Sequence, residues 1–273
     1  MNILITGAHG FLGNYLNLFF NNQHTVRALG RDNLNVCDEL QVIHELTTVK
    51  PDVIIHCAAT GRYTPMSTEP KILYENIIGF KNLALNKQDT TKLINIGSGA
   101  EFSLSTPVTD VDETEIFNYC PEQSYGLSKN LIARMIQTDQ FTNTYNLRLF
   151  GCFDSSEPNS RVLKILKRNL ENSKEFVLDQ DRMFDMVWAG DVAILLEKMM
   201  NEQVTCKDIN CVYAEKMLFS DILRLFIRTL ELDESLLKVS KVTNINYTGS
   251  AKKVLHHSID FRGLETGFRC YHE

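Results

Sequence analysis

The chain begins MNILITGAHGFLG, from Met1 to Gly13, with an apolar run followed by a glycine-rich turn. The run ILI at residues 3–5 predicts a buried strand, and Gly7, Gly10 and Gly13 follow it. Glycine lets the backbone turn tightly and approach a phosphate closely, and a helix N-terminus offers unpaired N–H groups to an anion. Placed between a first strand and a first helix, the turn predicts a dinucleotide phosphate site, with a purely structural bend as the alternative.

Short apolar runs alternate with amphipathic stretches through the first half of the chain. The runs VIIH (53–56) and LINI (93–96) are continuous, as expected for parallel strands covered on both faces. Regular strand–helix alternation predicts an α/β fold, a doubly wound parallel sheet of the Rossmann type. After Gly151 helical stretches dominate, with only short strands such as EFVLD and DINCV. We therefore expect a dinucleotide-binding domain over residues 1–150 and a smaller, mostly helical substrate lobe over 151–273, whose segments can interleave.

Composition excludes several classes of function. The 273 residues carry a net charge of -6 without a basic stripe, which argues against nucleic-acid binding. No apolar run approaches the roughly 18 residues of a membrane span, and glycines and His9 interrupt the first one, unlike a signal peptide. The seven cysteines are scattered without a close pair of the metal-binding type. We therefore expect a cytoplasmic protein with reduced thiols, no metal site and no membrane partner.

Three polar residues downstream are candidate catalytic groups. The segment SYGLSK places Tyr125 and Lys129 four residues apart, on one face of a predicted helix. A free phenol has a pKa of about 10, and a neighbouring ammonium group lowers that pKa, which suits proton transfer. Ser98 ends the strand LINIGS, and open α/β sheets bind ligands at the carboxyl ends of their strands. A surface pair and a loop serine are the alternatives.

The T-G-x-x-G-x-x-G spacing, Ser98 and the Tyr-x-x-x-Lys pair together resemble the extended short-chain dehydrogenases/reductases, the nucleotide-sugar epimerase/dehydratase family. Further similar segments are HCAA (56–59), ENIIGFKNL with Asn76, NLRLFG with Arg148 and MVWAGDVA with Asp191. The resemblance implies that Tyr125 donates the proton, that Lys129 supports it and holds the nicotinamide ribose, and that Ser98 binds the substrate carbonyl. The cofactor-binding residues that it implies are Gly7, His9, Gly10, Phe11, Leu12, Gly13, Arg31, Asn35, Val36, Cys57, Ala58, Ala59, Tyr125 and Lys129.

The end of the second strand bears on the choice of cofactor. Relatives that prefer NAD carry an acidic residue there to hold the ribose 2′-hydroxyl. This chain has Leu29-Gly30-Arg31, and an arginine pairs well with a 2′-phosphate. Asp32 follows directly and is the rival candidate. We therefore expect NADP, with NAD as the alternative.

The segments GRDNLNVCDE and KPDVIIHCAA look like those of 4-keto-sugar reductases, the dTDP-4-dehydrorhamnose reductases and GDP-fucose synthases. Dehydratases of the family have Thr-Asp-Glu at the serine position, whereas this chain has Ser98-Gly99-Ala100. Glu101 comes one position late, so on a strand it would face the opposite side. GDP-fucose synthases epimerise with a cysteine and a histidine, where this chain has Ala100 and Arg161. Neither replacement is a good proton shuttle.

The expected reaction is NADPH-dependent reduction of the 4-keto group of a nucleotide-linked 4-keto-6-deoxy sugar, without that double epimerisation. The alternatives are an NAD-dependent 4-epimerase and a dinucleotide-binding sensor without turnover. The expected substrate-binding residues are Ser98, Gly99, Arg161 and Arg182.

Two further features depart from the family or leave a choice open. Phe184 stands where relatives carry a diphosphate-clamping arginine, and Trp188 occupies the usual aromatic site but suits core packing.

By analogy we expect a homodimer formed through the helix that carries the tyrosine. Its apolar residues fit an interface and a core equally well, and they are Leu131, Ile132, Met135 and Ile136.

Overall fold

The computed structural model describes residues 1–61, 66–243 and 245–272. The described strands are β1 (Asn2–Thr6), β2 (Thr25–Leu29), β3 (Val53–His56), β4 (Lys92–Ser98), β5 (Val108–Val111), β6 (Thr144–Leu149), β7 (Cys152–Phe153), β8 (Phe176–Leu178), β9 (Val187–Trp188), β10 (Asp208–Cys211), β11 (Leu237–Val239) and β12 (Tyr247–Gly249). The described helices are α1 (Phe11–Phe20), α2 (Glu39–Val49), α3 (Pro70–Asn86), α4 (Ser124–Gln137), α5 (Val162–Glu171), α6 (Ala189–Met200), α7 (Phe219–Thr229), α8 (Lys252–His256) and α9 (Gly263–Arg269). Short 3-10 turns cover Gly99–Glu101, Glu113–Asn118, Glu234–Leu236 and Cys270–His272.

Six parallel strands form the central sheet in the order β10-β6-β4-β3-β1-β2. Alternate residues of β1 point to opposite faces, as the pleat of a strand requires. Ile3 and Ile5 pack with α1 and α6, whereas Leu4 packs with α2, α3 and α4. Covering on both faces explains the continuous apolar runs in these strands. The prediction of a doubly wound, Rossmann-type α/β fold is confirmed.

The second half of the chain contributes to both lobes. Helices α5, α7 and α9 enclose a separate apolar core beside the small β8–β11 pair. Helix α6, in contrast, packs on the central sheet, β10 forms that sheet's edge beside β6, and β12 pairs with β5. Residues on both sides of position 151 thus build the half of the molecule that contains the central sheet. A boundary between two domains at this position remains a proposal.

One strand lies elsewhere than the sequence indicated. We expected DINCV among the short strands of the second lobe, but its residues Asp208–Cys211 form the sixth strand of the central sheet. The four residues are buried, and Asp208 pairs in register with Asn146 of β6. Such a short apolar run carries no local signal of the strand that it will pair with.

The helix that carries Tyr125 turns part of its apolar surface inward. Ile132 and Ile136 are buried in the core between α4 and the sheet, and Met135 packs at its border. Leu131 is half-buried. No described helix combines the length and apolarity needed to cross a membrane.

Candidate active site

The glycine turn brings the end of β1, the start of α1 and the loop after β3 into close contact. Gly7 has a positive φ of 72°, and a Cβ atom there would lie 2.6 Å from the backbone nitrogen of Ala58. A Cβ atom on Gly13 would lie 2.4 Å from the carbonyl oxygen of Gly7. Among the described residues no side chain caps α1, which begins after Gly10. The turn therefore leaves helix N–H groups available to an anion.

A first cavity of about 240 Å³, the adenosine-side cavity, lies at the carboxyl ends of β1, β2 and β3. The predicted cofactor residues in its lining are Gly7, His9, Gly10, Arg31, Asn35, Val36, Cys57, Ala58 and Ala59. Sequence analysis did not assign other lining residues to cofactor binding, namely Gly30, Leu34, Cys37, His56, Thr60, Glu75, Asn76 and Gly79. A Cβ atom on Gly79 would lie 2.7 Å from Val36, so glycine lets α3 close this wall.

Arg31 lies at the rim of the adenosine-side cavity. Its Nη2 is 3.4 Å from Glu75 Oε1, and its side chain is 68% exposed. Glu75 also accepts a hydrogen bond from Thr60 Oγ1 at 2.8 Å. Asp32 is 91% exposed and stands 3.8 Å from His9 Nδ1. A phosphate bound by Arg31 would therefore share that guanidinium with the Glu75 carboxylate.

A second cavity of about 210 Å³, the reaction cavity, continues from the first on the other side of the glycine turn. Both cavities are lined by Gly7, Gly10, Cys57 and Ala59. The reaction cavity adds the predicted residues Phe11, Leu12, Gly13, Ser98, Tyr125, Lys129 and Arg161. The two cavities thus meet at the glycine turn.

Ser98, Tyr125 and Lys129 converge on the reaction cavity. Ser98 ends β4, and its Oγ accepts a hydrogen bond from the backbone nitrogen of Ala100 at 3.2 Å. Tyr125 lies in the first turn of α4 and Lys129 one turn later. Lys129 is only 3% exposed, and its Nζ donates to the carbonyl oxygen of Ile96 at 2.8 Å. This anchor fixes the ammonium group beside the cavity.

His56, at the end of β3, lines the adenosine-side cavity. Its Nδ1 is 2.7 Å from Thr6 Oγ1. Burial, and to a lesser extent Lys129, lower the pKa of His56 to about 3, so this imidazole is neutral at ordinary pH. Across the described residues, no group of three or more His, Cys, Asp or Glu side chains is arranged to hold a metal ion.

Residues 3–211 match the model of the NAD dependent epimerase/dehydratase family. The chain belongs to this family. The resemblance inferred from the sequence is thereby confirmed, and the glycine turn, Ser98 and the Tyr125–Lys129 pair all lie within the matched residues.

Several solved structures share the fold over nearly the whole chain. One is dTDP-4-dehydrorhamnose reductase from Bacillus anthracis in complex with NADP, with a TM-score of 0.84 and 19% identity over 99% of this chain and 96% of that chain. GDP-mannoheptose C4 reductase from Campylobacter jejuni with NADP bound has a TM-score of 0.80 and 18% identity over 99% and 96%. UDP-glucose 4-epimerase from Thermus thermophilus with NAD has a TM-score of 0.76 and 17% identity over 99% and 97%. Comparison with curated protein sequences finds no match.

Glu101, the carboxylate closest to Ser98 in sequence, faces away from the reaction cavity. The segment is a 3-10 turn rather than the strand assumed from the sequence. The Glu101 carboxylate accepts hydrogen bonds from the Ser98 backbone nitrogen at 2.7 Å and from Arg148 Nε at 2.6 Å. Arg148 is fully buried and also pairs with Asp208 at 2.6 Å. This family arginine therefore ties β4, β6 and β10 together.

The structure places the four predicted substrate residues differently. Ser98 and Arg161 line the reaction cavity, whereas Gly99 and Arg182 are not in its lining. Arg161 Nε donates to Glu157 Oε2 at 3.1 Å, and its guanidinium stands 5.8 Å from the Phe11 ring centre. The Arg182 guanidinium lies 5.5 Å from the Phe184 ring centre and 5.8 Å from the Tyr247 ring centre. Stacking on aromatic rings explains the position of Arg182.

Three other residues singled out in the sequence take part in packing. Asn76 joins α3 to α4, because its Nδ2 donates to Ser128 Oγ at 2.9 Å. Asp191 is buried and accepts hydrogen bonds from Tyr213 Oη at 2.6 Å and from two backbone nitrogens at the start of α9. Trp188 is buried in the core of the second lobe.

Sequence analysis missed Tyr247, which lines the reaction cavity from β12. No motif surrounds it in NINYTGS, and it is far from Ser98 in sequence. The one available sequence signal was Phe184, which replaces an arginine of the family. The ring of Phe184 stacks on Tyr247 with the ring centres 5.7 Å apart.

Proposed function

We propose that the chain is an NADPH-dependent reductase of the 4-keto group of a nucleotide-linked 4-keto-6-deoxy sugar. One observation carries this proposal. Ser98, Tyr125 and Lys129 converge on a cavity that continues into the adenosine-side cavity across the glycine turn. A dinucleotide held by that turn ends beside the three catalytic candidates.

Ser98, Tyr125 and Lys129 have distinct roles in the proposed reduction. When bound, the cofactor supplies the hydride. Ser98 donates a hydrogen bond to the carbonyl oxygen at C4 and orients it. Tyr125 donates its phenolic proton to that oxygen as negative charge develops there. Lys129, fixed by Ile96, stabilises the phenolate that remains and is placed to hold the nicotinamide ribose.

The surroundings support reduction over dehydration or double epimerisation. Glu101, the carboxylate nearest Ser98 in sequence, is fully buried and engaged by Arg148. Ala100 lines the cavity and has no proton to transfer. Arg161 is held by Glu157 and keeps its charge at any ordinary pH, so it suits binding of a diphosphate better than proton transfer.

For the cofactor, Arg31 favours NADPH, and the two reductases with the same fold carry NADP in their solved structures. Glu75 beside Arg31 favours the second candidate, an NAD-dependent 4-epimerase such as the Thermus relative represents. A sensor without turnover would have no use for Ser98, Tyr125 and Lys129 in one cavity.

We also propose a cytoplasmic homodimer. In the part of the chain that the structure describes, no disulfide bond joins any two of the seven cysteines, which suits a reducing compartment. Leu131 and Met135 on α4 are half-buried and could be covered further by a second copy. Light scattering at several protein concentrations measures the assembly state.

Tyr125→Phe tests the proposed function. With a panel of dTDP-, GDP- and UDP-linked 4-keto-6-deoxy sugars, we expect NADPH oxidation by the variant to fall at least about 100-fold below wild type. The dissociation constant for NADPH should stay within about twofold, because the ring remains in place. Tyr74→Phe, at an exposed tyrosine on α3, is the matched control and should keep full activity.

Two results would contradict the proposal. One is an unchanged rate in Tyr125→Phe with a sugar that the wild type reduces. The other is a wild type that retains tightly bound NAD and interconverts two nucleotide sugars without consuming NADPH, which is the behaviour of the 4-epimerase.

A further inference from the structure

Arg161 brings a positive charge from the residue before α5 to the start of α1. Its side chain lines the reaction cavity together with residues 10–13, which cap and begin α1. The Arg161 guanidinium stands 5.8 Å from the ring centre of Phe11, the first residue of that helix. Among the described residues no side chain caps α1, so its first N–H groups are available to an anion. A cation and an uncapped helix therefore border the same part of the cavity.

The carboxylate of Glu157 fixes the direction of this guanidinium. Glu157 Oε2 accepts a hydrogen bond from Arg161 Nε at 3.1 Å, and the side chain of Glu157 is only 1% exposed. Arg161 Nη2 also donates to the carbonyl oxygen of Cys152. These contacts use two of the five N–H groups of an arginine. The other three have no hydrogen-bond partner among the described residues and are left for a ligand.

The end of the described chain supports Glu157 from its other oxygen. Tyr271 Oη donates to Glu157 Oε1 at 2.9 Å, and Tyr271 is itself only 4% exposed. Its ring meets Phe226 edge to face with the ring centres 5.1 Å apart, and Lys164 Nζ stands 5.0 Å from the ring centre. A carboxylate held by a packed phenol in this way keeps Arg161 in one orientation.

The charges at the start of α1 point to a pyrophosphate. A helix N-terminus supplies only about half a positive charge, which is less than a pyrophosphate needs. The cationic side chains in the described lining of the reaction cavity are Lys129 and Arg161. Lys129 is anchored on α4 to the carbonyl oxygen of Ile96, whereas Arg161 stands beside Phe11. Arg161 is therefore the cation placed to complete the charge at the glycine turn.

We propose that Arg161 binds the pyrophosphate of the dinucleotide cofactor, together with the N–H groups at the start of α1. This inference rests on the proposed function, because it requires the cofactor to lie along the glycine turn. From the sequence we expect Arg161 to bind the substrate, and a nucleotide sugar also carries a diphosphate. The contact with Phe11 favours the cofactor. Because Arg161 lines the reaction cavity, its ligand is the phosphate next to the nicotinamide ribose.

Arg161→Gln tests the assignment, because it removes the charge and keeps much of the length of the side chain. In calorimetric titrations without any sugar, we expect the dissociation constants of NADPH and NADH both to rise about tenfold. Adenosine 2′,5′-bisphosphate lacks the phosphate next to the nicotinamide ribose. Its dissociation constant should stay within about twofold of the wild-type value, which also shows that the variant is folded.

Two further variants complete the test. Arg161→Lys keeps a positive charge next to Glu157 but loses the fork of N–H groups, so NADPH and NADH should each bind about threefold more weakly. This variant decides the matter if Arg161→Gln does not fold. Arg168→Gln is the matched control on α5, at an exposed arginine outside the described lining of both cavities. It should leave all three dissociation constants unchanged.

The outcomes separate this inference from the proposed function. If NADPH and NADH bind the Arg161 variants as tightly as the wild type while the KM for the nucleotide sugar rises, Arg161 binds the diphosphate of the substrate instead. If adenosine 2′,5′-bisphosphate weakens by the same factor as NADPH, Arg161 acts through the fold. Either result overturns the inference and leaves the roles of Ser98, Tyr125 and Lys129 standing. If the wild type binds neither NADPH nor NADH, the proposed function fails, and the inference fails with it.

Discussion

The adenosine-side cavity and the reaction cavity differ in how the chain builds them. The first is lined entirely by residues between Gly7 and Gly79, which form one continuous part of the sequence. The second takes residues from Gly7 to Tyr247 and depends on β4, α4, β12 and Arg161, just before α5, meeting at one place. The first cavity thus depends on one continuous segment of the sequence, whereas the second depends on long-range packing.

The largest effect should come from Gly7, one of the four residues that line both cavities. Gly7→Ala places a Cβ atom 2.6 Å from the Ala58 backbone and forces alanine into a φ of 72°. We expect NADPH binding, measured by fluorescence titration, to weaken at least about 1,000-fold, or about 4 kcal/mol. Turnover should be lost with it.

The variant Gly263→Ala is a control that separates backbone strain from steric collision at a glycine with a positive φ. Gly263 has a similar φ of 85°, but no described atom lies within 4 Å of its Cβ position. Its substitution should cost only about 1 kcal/mol of stability and leave cofactor binding intact. Equal losses of NADPH binding in the two variants would show that the turn is not a binding site.

The next largest effect is a pH dependence of the free energy of unfolding that arises from Asp185. Asp185 lies behind Tyr247 and pairs with Lys216 at 2.8 Å. Burial raises the pKa of Asp185 from 3.8 to about 6, although Lys216 lowers it. The folded protein therefore binds more protons than the unfolded chain between those pH values. Stabilisation from this group is complete below about pH 4 and is lost as the pH rises through about 6.

Asp185→Asn removes that dependence. From pH 4 to pH 7 the free energy of unfolding of the wild type should fall relative to the variant by up to about 3 kcal/mol, which urea denaturation at several pH values measures. Asp179→Asn, at an exposed carboxylate, serves as the control, and its difference from wild type should stay flat. If the difference in free energy of unfolding between wild type and Asp185→Asn stays constant with pH, Lys216 fully offsets the effect of burial on the pKa of Asp185.

The smallest effect concerns the adenosine side alone. Arg31→Ala should weaken NADPH binding about tenfold and NADH binding less than about twofold, because only NADPH carries the 2′-phosphate. Glu75→Gln should strengthen NADPH binding about threefold by releasing the Arg31 guanidinium, which Glu75 holds at 3.4 Å. Equal changes in the affinities for NADPH and NADH would assign the site to NAD.

The sequence predicted what depends on neighbours along the chain. Helix α1 follows the glycine turn as predicted, and Tyr125 and Lys129 share a face because a helix places them there. The sequence did not show that DINCV would join the central sheet, or that Tyr247 would lie beside Ser98. Both positions depend on segments that meet only after the lobes pack. Hydrophobic periodicity does not indicate which distant segment a strand will pack against.

The late position of β10 has a consequence for how the chain is made. Synthesis delivers β6 long before β10, so one edge of the central sheet stays unpaired until residue 211 has emerged. An open edge invites pairing with other chains, and distant contacts form slowly. Asn210 then joins three segments, because it accepts a hydrogen bond from Arg148 at 2.9 Å and donates to Val111 at 3.0 Å. Until β10 pairs, the open edge of β6 is therefore a place where a nascent chain can pair with other chains.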